Sequence, residues 1–370
     1  MRTNLSIILS LLALVAVSCK VDQQTQVQSI PFVKEIMANS DHPAAVVLSR
    51  SADPDPSGDV VLVGSLPAVM AYSHAFRDSD TYENSRGAAA ADGLPDFAGE
   101  TFTSIVDHCA DLAPEWIELG GAERLRELAV RQVVSALDTT YNLSPYDLEG
   151  LGHKSPAKLI VMTSPFYATY GKSDVDTLLH AMSCRVPVVS PFDVAATKVV
   201  RSVRKGTSVV VGIVCDSLEM SRASLMERFL ADASAAGISG AECFMFLNPE
   251  GETPLASVLD HYMASGTRPL DALIVCDPAS KSSVYAAEAE SLTSVMNPQS
   301  ITYGKYLSKG FKVLSLVEET TAYCYDLLRE RNLFTLDIAY PQSASFVTVD
   351  NPDTEQRGIL VVPPTYYVQD

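Results

Sequence analysis

Short runs of Val, Ile and Leu alternate along the second half of the chain with longer stretches in which apolar residues recur every three or four positions. The first pattern suits strands buried on both faces and the second suits amphipathic helices. Strands are predicted over 208–215 (SVVVGIVC), 241–248 (AECFMFLN), 270–277 (LDALIVCD), 311–316 (FKVLSL) and 333–339 (LFTLDIA). Helices are predicted over 221–237, with a serine cap and a glycine stop, over 253–266, with Thr253 as cap and Pro254 in the first turn, and over 282–296 and 320–332. The same alternation is looser in the first half: strands over 43–50 (PAAVVLSR), 59–65, 157–164 and 186–190, and helices starting near Pro67, over 122–138 and over 173–183 with Ser173 as cap. Strands alternating with helices imply parallel, doubly wound sheets, and a chain of this length is expected to form two of them.

Two segments break the pattern. Residues 77–100 and 139–156 are rich in Gly, Pro, Ser, Asp and Tyr and read as loop insertions. The last thirty residues hold two strand candidates around a turn at 351–358, a hairpin on a sheet edge. The expected division is a leader over 1–18, a tether over 19–40, an N-terminal α/β lobe over 41–200, a C-terminal α/β lobe over 201–340 and the terminal edge strands over 341–370.

The leader is the most specific local signal. Arg2 is followed by an apolar run from Leu5 to Val17 that ends in Ala-Val-Ser-Cys. A small residue directly before Cys19 resembles the bacterial lipobox, which implies cleavage there, acylation of Cys19 and a membrane-anchored lipoprotein facing the periplasm or the exterior. An ordinary signal peptide with an incidental Cys19 is the simpler alternative.

Composition narrows the partners. The 370 residues carry 45 acidic and 27 basic side chains, a net charge of -18, which excludes a basic nucleic-acid footprint. The six cysteines after Cys19 are Cys109, Cys184, Cys215, Cys243, Cys276 and Cys324; most lie in apolar runs and read as buried thiols. Without CxxC, HExxH or clustered His, no metal or other cofactor is expected.

Open parallel sheets bind ligands beyond the carboxyl ends of their strands. The residues there are Ser65, Ser164, Tyr167, Phe192 and Asp193 in the first lobe, and Asp216, Ser217, Asn248 and Asp277 in the second. Each has a structural alternative: Asp216 and Asp277 as helix caps, Tyr167 and Phe192 as core. Cys215 and Cys276 end two strands in the same way, as Cys-Asp, and would stand side by side if those strands are neighbours, as a disulfide, a thiol couple or simple packing.

The order KLIVMTSP, VPVVSPFD, VVVGIVCDS and GTRPLDALIVCDPAS, spanning residues 157–290, resembles the type I periplasmic binding proteins. That resemblance implies two lobes closing on a small polar ligand, Asp193 and Asp277 as hydroxyl-binding carboxylates and Arg222 near the family's ligand arginine. Cys276 stands where that family has an asparagine. The function implied is a lipid-anchored solute-binding protein that serves a transporter or sensor, not an enzyme. Cys215 and Cys276 also resemble the cysteine pair of aspartate/glutamate racemases, with two departures: both fall in one lobe, and the Asn-Thr after the first cysteine is missing. Two further alternatives are a cell-envelope enzyme with an active site near His108 and Cys109, completed by Asp92, Asp96 or Glu100, and an interaction module with an unoccupied crevice.

Overall fold

The computed structural model describes residues 28–364, apart from 84–87, 111–112, 148–149, 216–224, 250, 252, 278–281, 336–338 and 351–357. Its strands are β1 (Asp59–Gly64), β2 (Thr101–Val106), β3 (Thr140–Tyr141), β4 (Gly152–His153), β5 (Ala157–Met162), β6 (Val188–Val189), β7 (Ser208–Cys215), β8 (Gly240–Leu247), β9 (Leu270–Val275), β10 (Leu307–Ser315), β11 (Gln342–Asp350) and β12 (Ile359–Val362). The α-helices are α1 (Pro31–Ala38), α2 (Pro43–Arg50), α3 (Leu66–Asp78), α4 (Ala113–Glu118), α5 (Ala122–Leu137), α6 (Lys172–Ala181), α7 (Pro191–Ser202), α8 (Glu227–Ala235), α9 (Pro254–Tyr262), α10 (Ser282–Thr293), α11 (Ser300–Tyr303) and α12 (Leu316–Glu330).

Two sheets define two α/β lobes. The first has the order β12-β11-β2-β1-β5-β6, parallel throughout except for the antiparallel edge strand β12. The second is fully parallel in the order β10-β9-β7-β8. Side-chain alternation explains the helices on both faces. In β1, Val61 and Val63 point into one core under α1, α2 and α5, while Val60 and Leu62 point into another under α3 and α12. In β7, Val209, Val211 and Ile213 pack toward α7 and α8, and Val210 and Val214 toward α9 and α10. Strands buried on both faces need apolar residues at every position, hence the unbroken runs of the sequence.

The lobes are joined by an exchange of helices. α7 leaves the carboxyl edge of the first sheet at β6 and buries Phe192, Ala195, Ala196 and Val199 against the second. α12 leaves the carboxyl edge of the second sheet at β10 and buries Val317, Cys324, Tyr325 and Leu328 against the first. The two helices also pack on each other.

Several local expectations are corrected. Residues 43–50 form α2, not a strand: Pro43 opens the helix, the His42 ring accepts from the Ala44 N–H at 3.1 Å, and Ala44, Ala45 and Leu48 face the core. α6 begins at Lys172, so Ser173 lies inside it rather than capping it. Thr253 makes no side-chain cap on α9; Glu288 of α10 does so instead, accepting from the Leu255 and Ala256 N–H groups at 2.7 and 2.9 Å. Residues 333–335 form no strand. Within the expected loop insertion at 77–100, Asp96 accepts from the Ser79 hydroxyl and from the Thr81 and Tyr82 N–H groups, and Phe97 is wholly buried.

Candidate functional site

The carboxyl edges of the two sheets face each other. Asp193, in the first turn of α7, stands at the edge of the first sheet, and Arg228 stands in the first turn of α8, which follows β7 of the second. Their side chains pair at 2.5 Å, and Arg228 also donates to the carbonyl of Ala168, past the end of β5, at 3.4 Å. Burial pushes the Asp193 carboxyl up, and the Arg228 guanidinium draws it partly back. A second junction lies at Tyr72 of α3, wholly buried, whose phenol is pushed well up by burial and further by the nearby thiols of Cys276, in the other lobe, and Cys324.

On the first-lobe side the edge is sealed. Tyr167 is buried and its hydroxyl donates to Asp107, which is itself buried just past β2. Ser164 is buried, and its carbonyl accepts from the Ala168 N–H at 3.1 Å. Gly64 ends β1 with φ +152°; a Cβ there would sit 2.8 Å from the Ser164 N atom, so only glycine lets β1 and β5 end this close. Ser65, half-buried, opens α3 without a side-chain cap bond.

The second-lobe side is more open. Asn248, just past β8, donates from Nδ2 to Asp277 Oδ2 at 2.9 Å, and Tyr285 of α10 donates to Asn248 Oδ1 at 3.4 Å. Asn248 and Asp277 are both half-buried. This triad places a carboxylate at the mouth of the second lobe with its orientation set by an amide, which is set in turn by a phenol.

Of the predicted residues, the structure joins Asn248 to Asp277 at the end of the second sheet, and places Asp193, Ser65, Ser164 and Tyr167 at the end of the first. Phe192 is a correction: it is buried in the apolar cluster beneath the second sheet and stacks on no open crevice. Asp216, Ser217 and Arg222 lie outside the described residues, as do the leader and Cys19. Arg228 and Asp107 escaped the sequence reading. Arg228 sits inside an ordinary amphipathic helix, and Asp107 ends a strand, Thr-Phe-Thr-Ser-Ile-Val, whose hydroxyl residues disguise a buried element.

The structure bears on two of the chemical alternatives. Of the carboxylates proposed to complete a site near His108, on the turn after β2, Asp96 is consumed by its own loop, and Glu100 is wholly buried in an ion pair with Lys158 at 2.6 Å. Cys215 and Cys276 do stand side by side, since β7 and β9 are neighbours with Val214 opposite Val275, but they carry thiols rather than a disulfide. Burial pushes the Cys243 thiol up to about 12 and those of Cys184 and Cys324 up as well, which makes these three packing residues rather than nucleophiles. Among the described residues no cluster of His, Cys, Asp and Glu fits a metal, and no helix is long and apolar enough to cross a membrane.

No known protein family and no curated protein matches the chain. Among solved structures it is similar to glutamate racemase isoform RacE1 from Bacillus anthracis, at 12% identity and TM-score 0.47, over 80% of this chain and 90% of that one. It is also similar to a glutamate racemase from Francisella tularensis in complex with D-glutamate, at 12% identity and TM-score 0.46, over 79% and 89%. An aspartate racemase homologue from Pyrococcus horikoshii OT3 follows at 12% identity and TM-score 0.36, over 74% and 99%. These likenesses assign no activity to this chain. The neighbours are racemases rather than periplasmic binding proteins, which overturns the resemblance read from the sequence. That resemblance rested on βαβ grammar common to many doubly wound folds. The solute-binding, transport-linked function drawn from it, and the expectation of a protein without catalysis, are withdrawn with it.

Proposed function

We propose that the protein is an enzyme that holds a small polar substrate between its lobes and moves a proton on it with the Asp277 carboxylate. The observation that carries this reading is the half-buried Asp277, oriented by Asn248 and Tyr285, at a carboxyl edge that meets the edge of the other lobe through Asp193 and Arg228. A general base must be held within hydrogen-bond reach of its proton by groups that fix its orientation, and the Asn248 amide supplies that restraint. Asp193 and Arg228 are positioning residues that hold the lobes at working distance. Asp107 and Tyr167 stiffen the opposite wall.

The test is exchange of substrate carbon-bound protons with deuterated water, followed by proton NMR over a panel of amino, hydroxy and keto acids. One class is expected to lose its proton signal in the presence of the protein. Asp277→Asn is expected to abolish the exchange, and Asn248→Ala to lower it by ~10²-fold, within the range for a general base. Exchange that survives Asp277→Asn, or no exchange with any of these acids, overturns the reading.

The location in the cell envelope rests on the leader sequence alone. Fractionation of cells producing the full chain tests it, with recovery in the soluble cytoplasmic fraction as the opposing result.

A further inference from the structure

The chain is strongly acidic, yet residues 291–317 hold three lysines, Lys305, Lys309 and Lys312, and no carboxylate. All three are exposed, and none has an ion-pair partner among the described residues. The same segment carries three strongly exposed apolar side chains: Val295, Met296 and Ile301 are 94%, 88% and 84% exposed. Val295 and Met296 precede α11 and Ile301 lies in it, between α10 and the edge strand β10, and beside them a cavity of about 830 Å³ opens between α10 and β10. Its walls include Val295, Phe311, Val313 and Lys309, so apolar and cationic groups share one face.

The carboxylates near this face are few and two are engaged. Asp260 accepts from the Tyr303 hydroxyl at 2.8 Å, and Glu288 caps α9; Glu290 is on the cavity wall. Leaving three aliphatic side chains in water is unfavourable, and scattered exposed residues need no explanation, but a cluster close to the exposed Lys305 and Lys309 does. Apolar tips ringed by lysines match the boundary between headgroups and acyl chains of a bilayer, where the tips enter the hydrocarbon and the ammonium groups meet lipid phosphates. Glu290 is the one carboxylate lining this cavity among the described residues, so lipid phosphates would meet Lys305 and Lys309 with little opposing charge beside them.

We propose that the 294–309 face of the second lobe docks on an anionic lipid surface through Val295, Met296 and Ile301 and through Lys305 and Lys309. The surface is independent of the leader and of the reaction proposed for the cleft.

The experiment uses a chain beginning at Lys20, which keeps every described residue. It measures co-sedimentation with vesicles of phosphatidylcholine alone and with vesicles that also contain phosphatidylglycerol. Binding is expected only to the latter and is expected to weaken as salt is added. Each lysine near an anionic surface is worth about fivefold in partitioning, so the variant K305E/K309E should lose about 25-fold or more. V295S/M296S/I301S should also lose binding, at low salt, with an unchanged melting temperature because these side chains contribute nothing to the core. Failure to bind either vesicle, equal binding to both, or binding indifferent to both variants overturns the proposal. So does a change of oligomeric state in V295S/M296S/I301S, which would give the face to a second copy.

Discussion

The two edges of the first sheet treat buried polar groups in opposite ways. At the amino edge, Lys158 and Glu100 are wholly buried and paired at 2.6 Å; Lys158 also donates to the Pro56 carbonyl at 2.7 Å, and Glu100 accepts from the Thr335 N–H at 2.8 Å. Next to them Asp59 accepts from the Thr103 hydroxyl at 2.6 Å. Burial pushes both carboxyls up, and Lys158 draws them partly back. At the carboxyl edge, Asp107 and Tyr167 share a hydrogen bond, and the chain beyond them meets the other lobe. Buried charge therefore does not by itself mark a reactive site in this protein. The amino-edge network straps the segment after α12 to the sheet, and the carboxyl edge faces the partner lobe.

The largest expected effect lies at the amino edge. Lys158→Met leaves the Glu100 carboxylate buried without its cation and should cost about 3–5 kcal/mol in denaturant unfolding. Adding Glu100→Gln, which removes the stranded charge, should restore more than half of the loss. If the double variant is no better than the single one, the network is not held by charge pairing. Proton exchange on the substrate should be unaffected in the double variant.

Tyr167→Phe is the counterpart at the other edge. It removes the hydroxyl that donates to the buried Asp107 and should cost about 1–3 kcal/mol. Unlike the amino-edge double variant, it should also reduce exchange; a variant that only destabilises would remove the functional distinction between the edges. Smaller still is Arg228→Ala, whose partner is about a quarter exposed and partly screened. A loss of about 1 kcal/mol is expected, with an increase in radius of gyration by small-angle scattering as the lobes loosen. An unchanged radius would show that the exchanged helices alone hold the lobes.

The finest test is a pH profile. Burial lowers the Lys154 ammonium to about 8, against the pull of Asp138 and Asp59, with its Nζ donating to the Ala136 carbonyl at 3.3 Å. Its folded value lies below its unfolded one, so the unfolded chain binds more protons between them. Stability should rise as pH increases from about 8 toward 10.5, and Lys154→Met should flatten that rise. Asp59 runs the other way. Its folded value is raised, so its contribution is complete below the ordinary carboxylate range and fades as pH climbs through the folded value; Asp59→Asn should remove that fall. Melting temperatures across pH 4 to 10.5 read both slopes.

The sequence was most readable where burial is two-sided. β1, β5, β7 and β9 are continuous apolar runs and could be placed closely. It misled where one residue type serves two geometries. The Val-Val-Leu run of α2 has strand-like composition, but Pro43 and the His42 cap decide for a helix. β2 went unread because Thr103 and Ser104 look like surface residues; Thr103 is wholly buried because Asp59 accepts its hydroxyl proton. Losing β2 also lost Asp107. Of the candidate site, positions just past strand ends followed from the parallel-sheet rule, which yielded Asn248 and Asp277. Arg228 could not be found that way, because its partner Asp193 lies 35 residues earlier and in the other lobe.

The chain threads its lobes out of order, and this governs how the protein can be made. The second sheet is one uninterrupted segment, 208–315, whereas the first needs β11, laid between β2 and β12, from the far end of the chain. During synthesis the later lobe can mature first, while the earlier one waits with the flank of β2 unclosed, exposed to wrong pairing until its last strands arrive.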